Sequence, residues 1–260
     1  MKISICFISH EDSSLLKKTL PHNLYNIKKN LQGNLTLNTI ILSNESSFKN
    51  NRDIQTIAIE NDISEVRFRS SKSFQYGGDP SNNSHLNLLS NNTNSDILIT
   101  IESDVIVNNY SESFSLVNEI INFFDEKKDV LVCFKMSDTN CWAWRKQKIE
   151  NYNKADEYEY VNRLASHFLI YNMKKLRKTP IYSELLKDSY SKDFNYEDKL
   201  SNLLYIHDKP VIFLKKWPLS IWHCDRKLFP GSEFYTQNAK IKQSLVDFFM
   251  KYPNLKGDLH

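Results

Sequence analysis

The run Asp96-Ile97-Leu98-Ile99-Thr100-Ile101-Glu102-Ser103-Asp104 decides how this chain is read. Its apolar part is short and almost unbroken, which predicts a strand buried on both faces. The strand runs directly into an acidic triplet. Carboxylates at the carboxyl end of a buried strand face the crevice where open α/β sheets take their ligands. Hard oxygen ligands there suit a divalent cation bridging a diphosphate. Taken alone, such a triplet more commonly ends a strand in a solvated loop.

Upstream, residues 3–9 form a second apolar run of the same kind. Ser13 or Ser14 can cap the helix that follows, with Leu15, Leu16, Leu20, Leu24 and Ile27 on one side, and Pro21 predicts a kink or a restart within it. Residues 38–43 and 54–59 read as two further strands. Strand, helix, strand implies a right-handed crossover and a parallel sheet. Residues 70–94 are rich in Ser, Asn and Gly and contain a short helix around His85 to Leu89. Downstream, 130–136 and 210–214 read as strands and 197–205 as a helix. Residues 241–252 form an amphipathic helix, with Ile241, Leu245, Phe248, Phe249 and Tyr252 at helical spacing. That stripe is expected to dock on its own domain, with a membrane or a partner as the alternative.

Composition narrows the choice. At 260 residues and 30.6 kDa the chain can bury the core of one large domain or two small ones. With no internal repeat and no linker, one domain with two lobes is expected. Glycine is scarce at 5 residues, and neither G-x-G-x-x-G nor a Walker loop is present, which disfavours dinucleotide and P-loop chemistry. The formal charge is only +3 and no Lys/Arg patch interleaves with aromatics, so no nucleic-acid partner is expected. The four cysteines, Cys6, Cys133, Cys141 and Cys224, show no C-x-x-C spacing, in keeping with a reducing compartment. No apolar run reaches the ~20 residues of a membrane span. The first residues enter a strand directly, without a signal peptide. A cytoplasmic protein follows, with a peripheral position at the inner face of the membrane compatible.

Two more segments carry candidate chemistry. In Tyr196-Glu197-Asp198-Lys199-Leu200, both carboxylates open a helix, where the dipole favours the ionised form that a general base needs. First-turn acids also serve helix stability alone. In Trp222-His223-Cys224-Asp225-Arg226-Lys227, the imidazole is a good ligand for Mn²⁺ or Zn²⁺, and the charged residues after it suit a diphosphate or simply form a solvated turn. A His beside a Trp is also a common packed residue. Trp142, Trp144, Tyr152 and Tyr158 offer stacking faces for a sugar, although aromatics more often simply pack.

The series of these motifs resembles the family 2 glycosyltransferases, an inverting group with the GT-A fold. The opening I-S-I-C-F-I-S-H-E-D-S-S-L-L-K-K-T-L is similar to that family's first strand and helix. Y-G-G-D-P through T-I-E-S-D-V resembles its Gly/Asn segment, helix, strand and DxD-type motif. S-H-F-L-I-Y-N-M-K-K-L, N-Y-E-D-K-L and W-H-C-D-R-K resemble the acceptor-side strand, the ED motif and the later His segment.

The resemblance implies a mostly parallel central sheet flanked by helices in a domain over 1–240. Residues 1–107 would form the nucleotide-sugar half, 108–240 the acceptor half, and 241–260 a C-terminal helix and tail. It implies Asp104 and His223 as ligands of Mn²⁺ or Mg²⁺. Asp198 is implied as the base, with Glu197 beside it. Ser9, Asn44, Glu45, Gly78, Glu102, Ser103 and Arg226 are implied around the nucleotide sugar, a UDP-sugar above all. The acceptor would be a glycan or lipid-linked, as in bacterial surface polysaccharide or glycoconjugate synthesis. Two departures stand out: Ser43-Asn44-Glu45-Ser46 replaces the family's Asp after the second strand, and the DxD-type motif starts with Glu. A catalytically degenerate GT-A protein that binds nucleotide or glycan is the alternative. A sugar nucleotidyltransferase fits less well, since Ser9-His10-Glu11-Asp12 stands where its glycine-rich loop would be.

Overall fold

Strand β1 (Lys2–Ser9) is buried from Ile3 to its end. Each Ile or Phe so buried contributes roughly 1.5–3 kcal/mol. The computed structural model describes residues 1–10, 12–44, 46–69, 80–91, 94–137, 159–161, 163–187, 196–224 and 239–254. Helix α1 (Ser13–Lys28) follows with Leu15, Leu16, Leu20, Leu24 and Ile27 buried. It passes through Pro21 without the restart predicted for it. Lys17, whose carbonyl loses its partner there, lies on the exposed side, where water can replace the missing N–H. Its N-cap is Asp12 rather than Ser13 or Ser14.

β2 (Thr36–Asn44) pairs parallel with β1, Ile3 opposite Leu37. The segment read as a third strand is instead helix α2 (Phe48–Glu60). Ser47 caps it by accepting from Asn50 N, and Ile54, Ile57 and Ala58 are buried at helical spacing. Ile59, needed by a buried strand, is 79% exposed. The true third strand, β3 (Glu65–Arg69), is charged and lies at the sheet edge, so its sequence carries no buried-strand signal.

After α3 (Pro80–Asn91), β4 (Ile97–Glu102) is buried throughout and lies parallel to β1. The chain then forms β5 (Val105–Asn109), α4 (Leu116–Glu126), β6 (Val132–Phe134), β7 (Glu159–Val161) and β8 (Phe168–Asn172). Next come α5 (Met173–Leu176), α6 (Pro180–Lys187), α7 (Tyr196–Ile206), β9 (Val211–Phe213), β10 (Leu219–His223) and α8 (Ala239–Lys251). The 8-stranded sheet has the order β3-β2-β1-β4-β8-β6-β9-β7, with β8 antiparallel to both β4 and β6. A separate antiparallel ribbon joins β5 to β10. A large hydrophobic core fills the space between sheet and helices, and a smaller one of Leu15, Ile106, Trp222, Cys224, Val246 and Phe249 lies under α8.

Helix α8 docks on its own domain, against α1 and β5. Phe249 stacks on Trp222 at 4.3 Å, Val246 is fully buried beside them, and Asn108 Nδ2 donates to Phe249 O at 3.1 Å. Phe248 and Tyr252 of the expected stripe lie on the exposed side. The side chain of Ile241, like Cys141 and the aromatics Trp142, Trp144, Tyr152 and Tyr158, lies outside the described residues. No described helix is long and apolar enough to cross a membrane.

A polar cluster joins α3 to β8 and α7. His85 stacks on Tyr196 at 4.9 Å, and the Tyr171 and Tyr196 hydroxyls hydrogen-bond at 2.9 Å. Burial holds the His85 imidazole down to about 4, with the nearby Glu102 charge pulling weakly the other way and His167 and His10 adding to the depression.

Two outcomes are expected. Phe249→Ala releases α8 and lowers stability by about 3 kcal/mol, checked by urea unfolding and by faster amide exchange confined to α8. His85 is neutral in the fold but takes a proton when unfolded below its ordinary value of 6.5. The unfolded state therefore binds more protons between pH 6.5 and about 4, and stability falls as the pH drops through that window. The His85 contribution to that fall is on the order of 3 kcal/mol. Urea midpoints measured across this range will show a shallower slope for His85→Phe, which keeps the stack on Tyr196.

Candidate functional site

Strand register assembles the site at the carboxyl ends of β1, β2 and β4. β8 runs antiparallel to β4 with Phe168 opposite Ile101, so His167, one residue earlier, arrives beside Glu102. The Glu102 N–H donates to the His167 carbonyl at 3.2 Å. Beyond Glu102 the chain turns through Ser103 and Asp104 into β5, whose Val105 faces His223 at the end of β10. Cys224 N then donates to Asp104 O at 2.9 Å. Two antiparallel registers thus bring residues 102, 104, 167 and 223 together.

The side chains converge. His167 Nδ1 lies 2.7 Å from Glu102 Oε2, and His223 Nε2 lies 3.7 Å from that same oxygen and 3.4 Å from Asp104 Oδ1. The two imidazoles stack with centroids 3.6 Å apart. Burial alone pushes Glu102 up. The charge and hydrogen bond of His167, with the charge of His223, outweigh it and hold the carboxyl at about 2. Burial likewise opposes ionisation of Asp104, but His223 and then Lys242 hold it well below the usual carboxylate range. Both are therefore anions at neutral pH.

This donor set fits a divalent cation. Glu102 Oε2, His167 Nδ1 and His223 Nε2 all lie within 4.8 Å of one another, as three atoms around one ion must. Two imidazoles and a carboxylate suit Mn²⁺ or Zn²⁺ better than Mg²⁺, which prefers oxygen alone. Asp104, expected as a ligand, is not one of these three, though its Oδ1 lies 3.4 Å from His223 Nε2.

Around this group sit the remaining nucleotide-side residues. Asp12 accepts from Ser9 Oγ at 2.7 Å and from His10 N at 2.9 Å, and its other oxygen is hydrogen-bonded to Ser103 Oγ. Burial, and then the charge of Asp104, push the Asp12 carboxyl up. Asn44 ends β2 with its amide 3.1 Å from His10 Nδ1. Ser9, Asn44, Glu102, Ser103, Asp104 and His223 are thus gathered at one sheet end, whereas Glu45, Gly78 and Arg226 lie outside the described residues.

Glu197 and Asp198 open α7, as expected, but their surroundings differ. Glu197 Oε1 accepts from Ser166 N at 2.7 Å and Ser166 Oγ at 2.9 Å, and its side chain is only 14% exposed. Asp198 is 53% exposed and pairs with Arg163 Nε at 2.7 Å. Ser166, which holds Glu197, directly precedes His167, which holds Glu102. The α7 acids are therefore tied to the carboxylate cluster through one dipeptide.

Sequence reasoning missed His167, Asp12, Arg163 and Lys242. The sole sequence signal of His167 is a His placed directly before an apolar run that predicts a strand. Lys242 had none: it is one of several lysines in an amphipathic helix. Its Nζ donates to Asp104 Oδ2 at 2.9 Å, from a point 138 residues away in sequence.

No protein-family model matches the chain, and no curated protein matches it by sequence. Solved structures match it by fold. One is GalNAc-T7 with UDP, GalNAc and Mn²⁺ (TM-score 0.58, 11% identity, 95% of this chain and 48% of that chain). Another is the galactosyltransferase LgtC with donor and acceptor sugar analogs (TM-score 0.52, 14% identity, 94% and 95%). A third is residues 1–349 of S. aureus TarS in complex with UDP (TM-score 0.50, 13% identity, 85% and 60%). At such identities the likeness shows the architecture: a mixed α/β domain of the GT-A type, with a mainly parallel central sheet between helices.

The donor set leads to a direct expectation. Calorimetric titration with Mn²⁺ will show one site per chain, and His167→Ala or His223→Ala will weaken it by about 10-fold or more. Equal affinity in the wild-type protein and both variants would remove the imidazoles from the cation site.

Proposed function

We propose that this GT-A domain is a nucleotide-sugar-dependent glycosyltransferase that transfers a sugar to an acceptor hydroxyl with inversion. One observation carries the reading. A carboxylate and two imidazoles converge at the carboxyl end of β4, and a half-exposed carboxylate, Asp198, stands on the helix tied to them through Ser166. In this proposal Glu102, His167 and His223, with Asp104, hold a divalent cation, Mn²⁺ before Mg²⁺. That ion supplies positive charge for the nucleoside diphosphate when bound.

Residues 1–107 form the donor half, where Ser9, Ser103 and Asn44 line the nucleotide side. Glu45, Gly78 and Arg226 are proposed there from the sequence pattern. Residues 108–240 form the acceptor half. Asp198 accepts the proton of the acceptor hydroxyl. The freed oxygen attacks the anomeric carbon as the bond to the diphosphate breaks on the opposite face. Arg163 Nε lies 2.7 Å from Asp198 Oδ1 and holds that carboxylate in place at the start of α7. Glu197, held by two Ser166 donors, orients the start of α7 instead of moving a proton. UDP is the nucleotide to test first, because GalNAc-T7 and TarS were solved with UDP. Placement in family 2, a role in bacterial surface polysaccharide or glycoconjugate synthesis, and a peripheral position at the cytoplasmic membrane face complete the proposal.

The test pairs binding with turnover. Thermal shifts with UDP-, GDP-, CMP- and dTDP-sugars, each with Mn²⁺, Mg²⁺ or EDTA, are expected to show one nucleotide class raising stability in a metal-dependent way. Asp198→Asn should keep that shift and lose turnover by roughly 10²-fold or more, measured as donor consumption over an acceptor panel. Donor binding without turnover in the wild-type protein would favour the degenerate binding protein. No shift with any donor would sink the transferase reading and leave the degenerate protein as a glycan binder.

A further inference from the structure

Among the described residues, the cation cluster brings little positive charge for the leaving group. The carboxylates of Glu102 and Asp104 both stand at it, 3.7 and 3.4 Å from His223 Nε2. Two carboxylates neutralise one divalent cation, so the assembly offers little net charge to a diphosphate that gains negative charge as the sugar departs. The position implied by the sequence pattern for that duty, Arg226, lies outside the described residues.

Helix α8 brings a cation to this point. The Lys242 ammonium donates to Asp104 Oδ2 at 2.9 Å, while Oδ1 of the same carboxylate faces His223 Nε2 at 3.4 Å. One carboxylate therefore separates the two positions: its first oxygen turns toward the cation cluster and its second toward the ammonium. Lys242 is held there by more than its own side chain. Trp222, the residue before His223 in β10, stacks on Phe249 about two turns beyond Lys242, Asn108 binds the Phe249 carbonyl, and Lys18 pairs with Asp247 at 2.8 Å. Through these contacts β5, β10 and α1 all fix the helix that carries the ammonium. Its side chain keeps 22% of its surface exposed. An ammonium has three N–H donors on a flexible stem, so contact with Asp104 and with a phosphate oxygen are compatible.

We propose that Lys242 is a donor-binding residue: its ammonium contacts the diphosphate of the nucleotide sugar beside Asp104 and stabilises the charge the leaving group gains. This rests on the nucleotide-sugar reading above. The bond from anomeric carbon to phosphate oxygen breaks, its electron pair stays on that oxygen, and the acceptor proton goes to Asp198. Lys242 keeps its own proton and acts by charge and hydrogen bonding alone. In this role α8 is part of the donor site and not an appendage.

Calorimetry on the full chain tests it, with UDP, GDP, CDP and dTDP as probes in the presence of Mn²⁺. The matching nucleoside is followed by ligand-observed NMR, and melting curves accompany every variant. Lys242→Met is expected to weaken the bound diphosphate by about 10-fold or more, while nucleoside binding stays within about twofold. Lys242→Arg, which keeps the charge, should return the diphosphate to within about threefold of wild type. Equal diphosphate affinity in wild type and Lys242→Met overturns the proposal. So does tighter binding in Lys242→Met, which would make Lys242 a counter-ion that the ligand must displace. A parallel loss for nucleoside and diphosphate, with a lowered melting point and the same loss in Lys242→Arg, makes Lys242 a structural clamp and also overturns it. If the wild-type protein binds none of the four diphosphates, the transferase reading itself falls and takes this inference with it.

Discussion

Two carboxylates withdrawn from water at the end of β4 set the terms for the rest of this fold. A buried anion without partners costs several kcal/mol or gives up its charge. Glu102 and Asp104 keep theirs because partners reach them from three other elements: His167 before β8, His223 on β10 and Lys242 on α8. Each partner depends on a packing decision made elsewhere. The β4–β8 register places His167, the β5–β10 register places His223, and the Trp222–Phe249 stack places Lys242. Sheet, ribbon and C-terminal helix are thus all organised around one electrostatic demand.

The same demand shapes the neighbours that never touch the cluster directly. Asp12 is a third acid nearby, and it is the one whose carboxyl is pushed up, since burial and Asp104 both oppose its charge. It serves by accepting hydrogen bonds from Ser9, His10 and Ser103, which lock the ends of β1 and β4 together. On the other side, Ser166 and His167 divide labour between adjacent residues. One binds Glu197 and so fixes the start of α7, and the other binds Glu102. The start of α7 is therefore tied to the carboxylate cluster through a single dipeptide.

Much of the framework was legible from local pattern. Continuous apolar runs announced β1, β2 and β4, because a strand covered on both faces needs no polar positions. The acidic pair opening α7 and the stripe of α8 were visible for similar reasons. Failures came where local pattern is ambiguous or silent. The Ile54–Ile59 region alternates in a way that suits either a strand or a helix, and only the Ser47 cap and the sheet beyond it decide for the helix. β3 is an edge strand, and its charged residues hide it. Pro21 leaves α1 continuous, and Lys17, one turn before it, is exposed, so water can take the place of the missing N–H.

What the sequence by itself determined is the sheet's parallel half, the position of Glu102 and Asp104 at a strand end, and a His and an acidic pair further along. These are properties of short windows, in which each residue's neighbours are also its neighbours in the chain. What only the tertiary structure decided is the company those residues keep. His167 lies 65 positions from Glu102, and Lys242 lies 138 from Asp104. Both are joined to their acids by strand register and helix docking, and no local propensity encodes either. The different surroundings of Glu197 and Asp198 have the same origin: adjacent in sequence and both paired with Arg163, they differ because one is held by Ser166 and the other faces solvent. A charge buried in a protein must find its partner in space, and the chain records that partner only through the fold that brings it there.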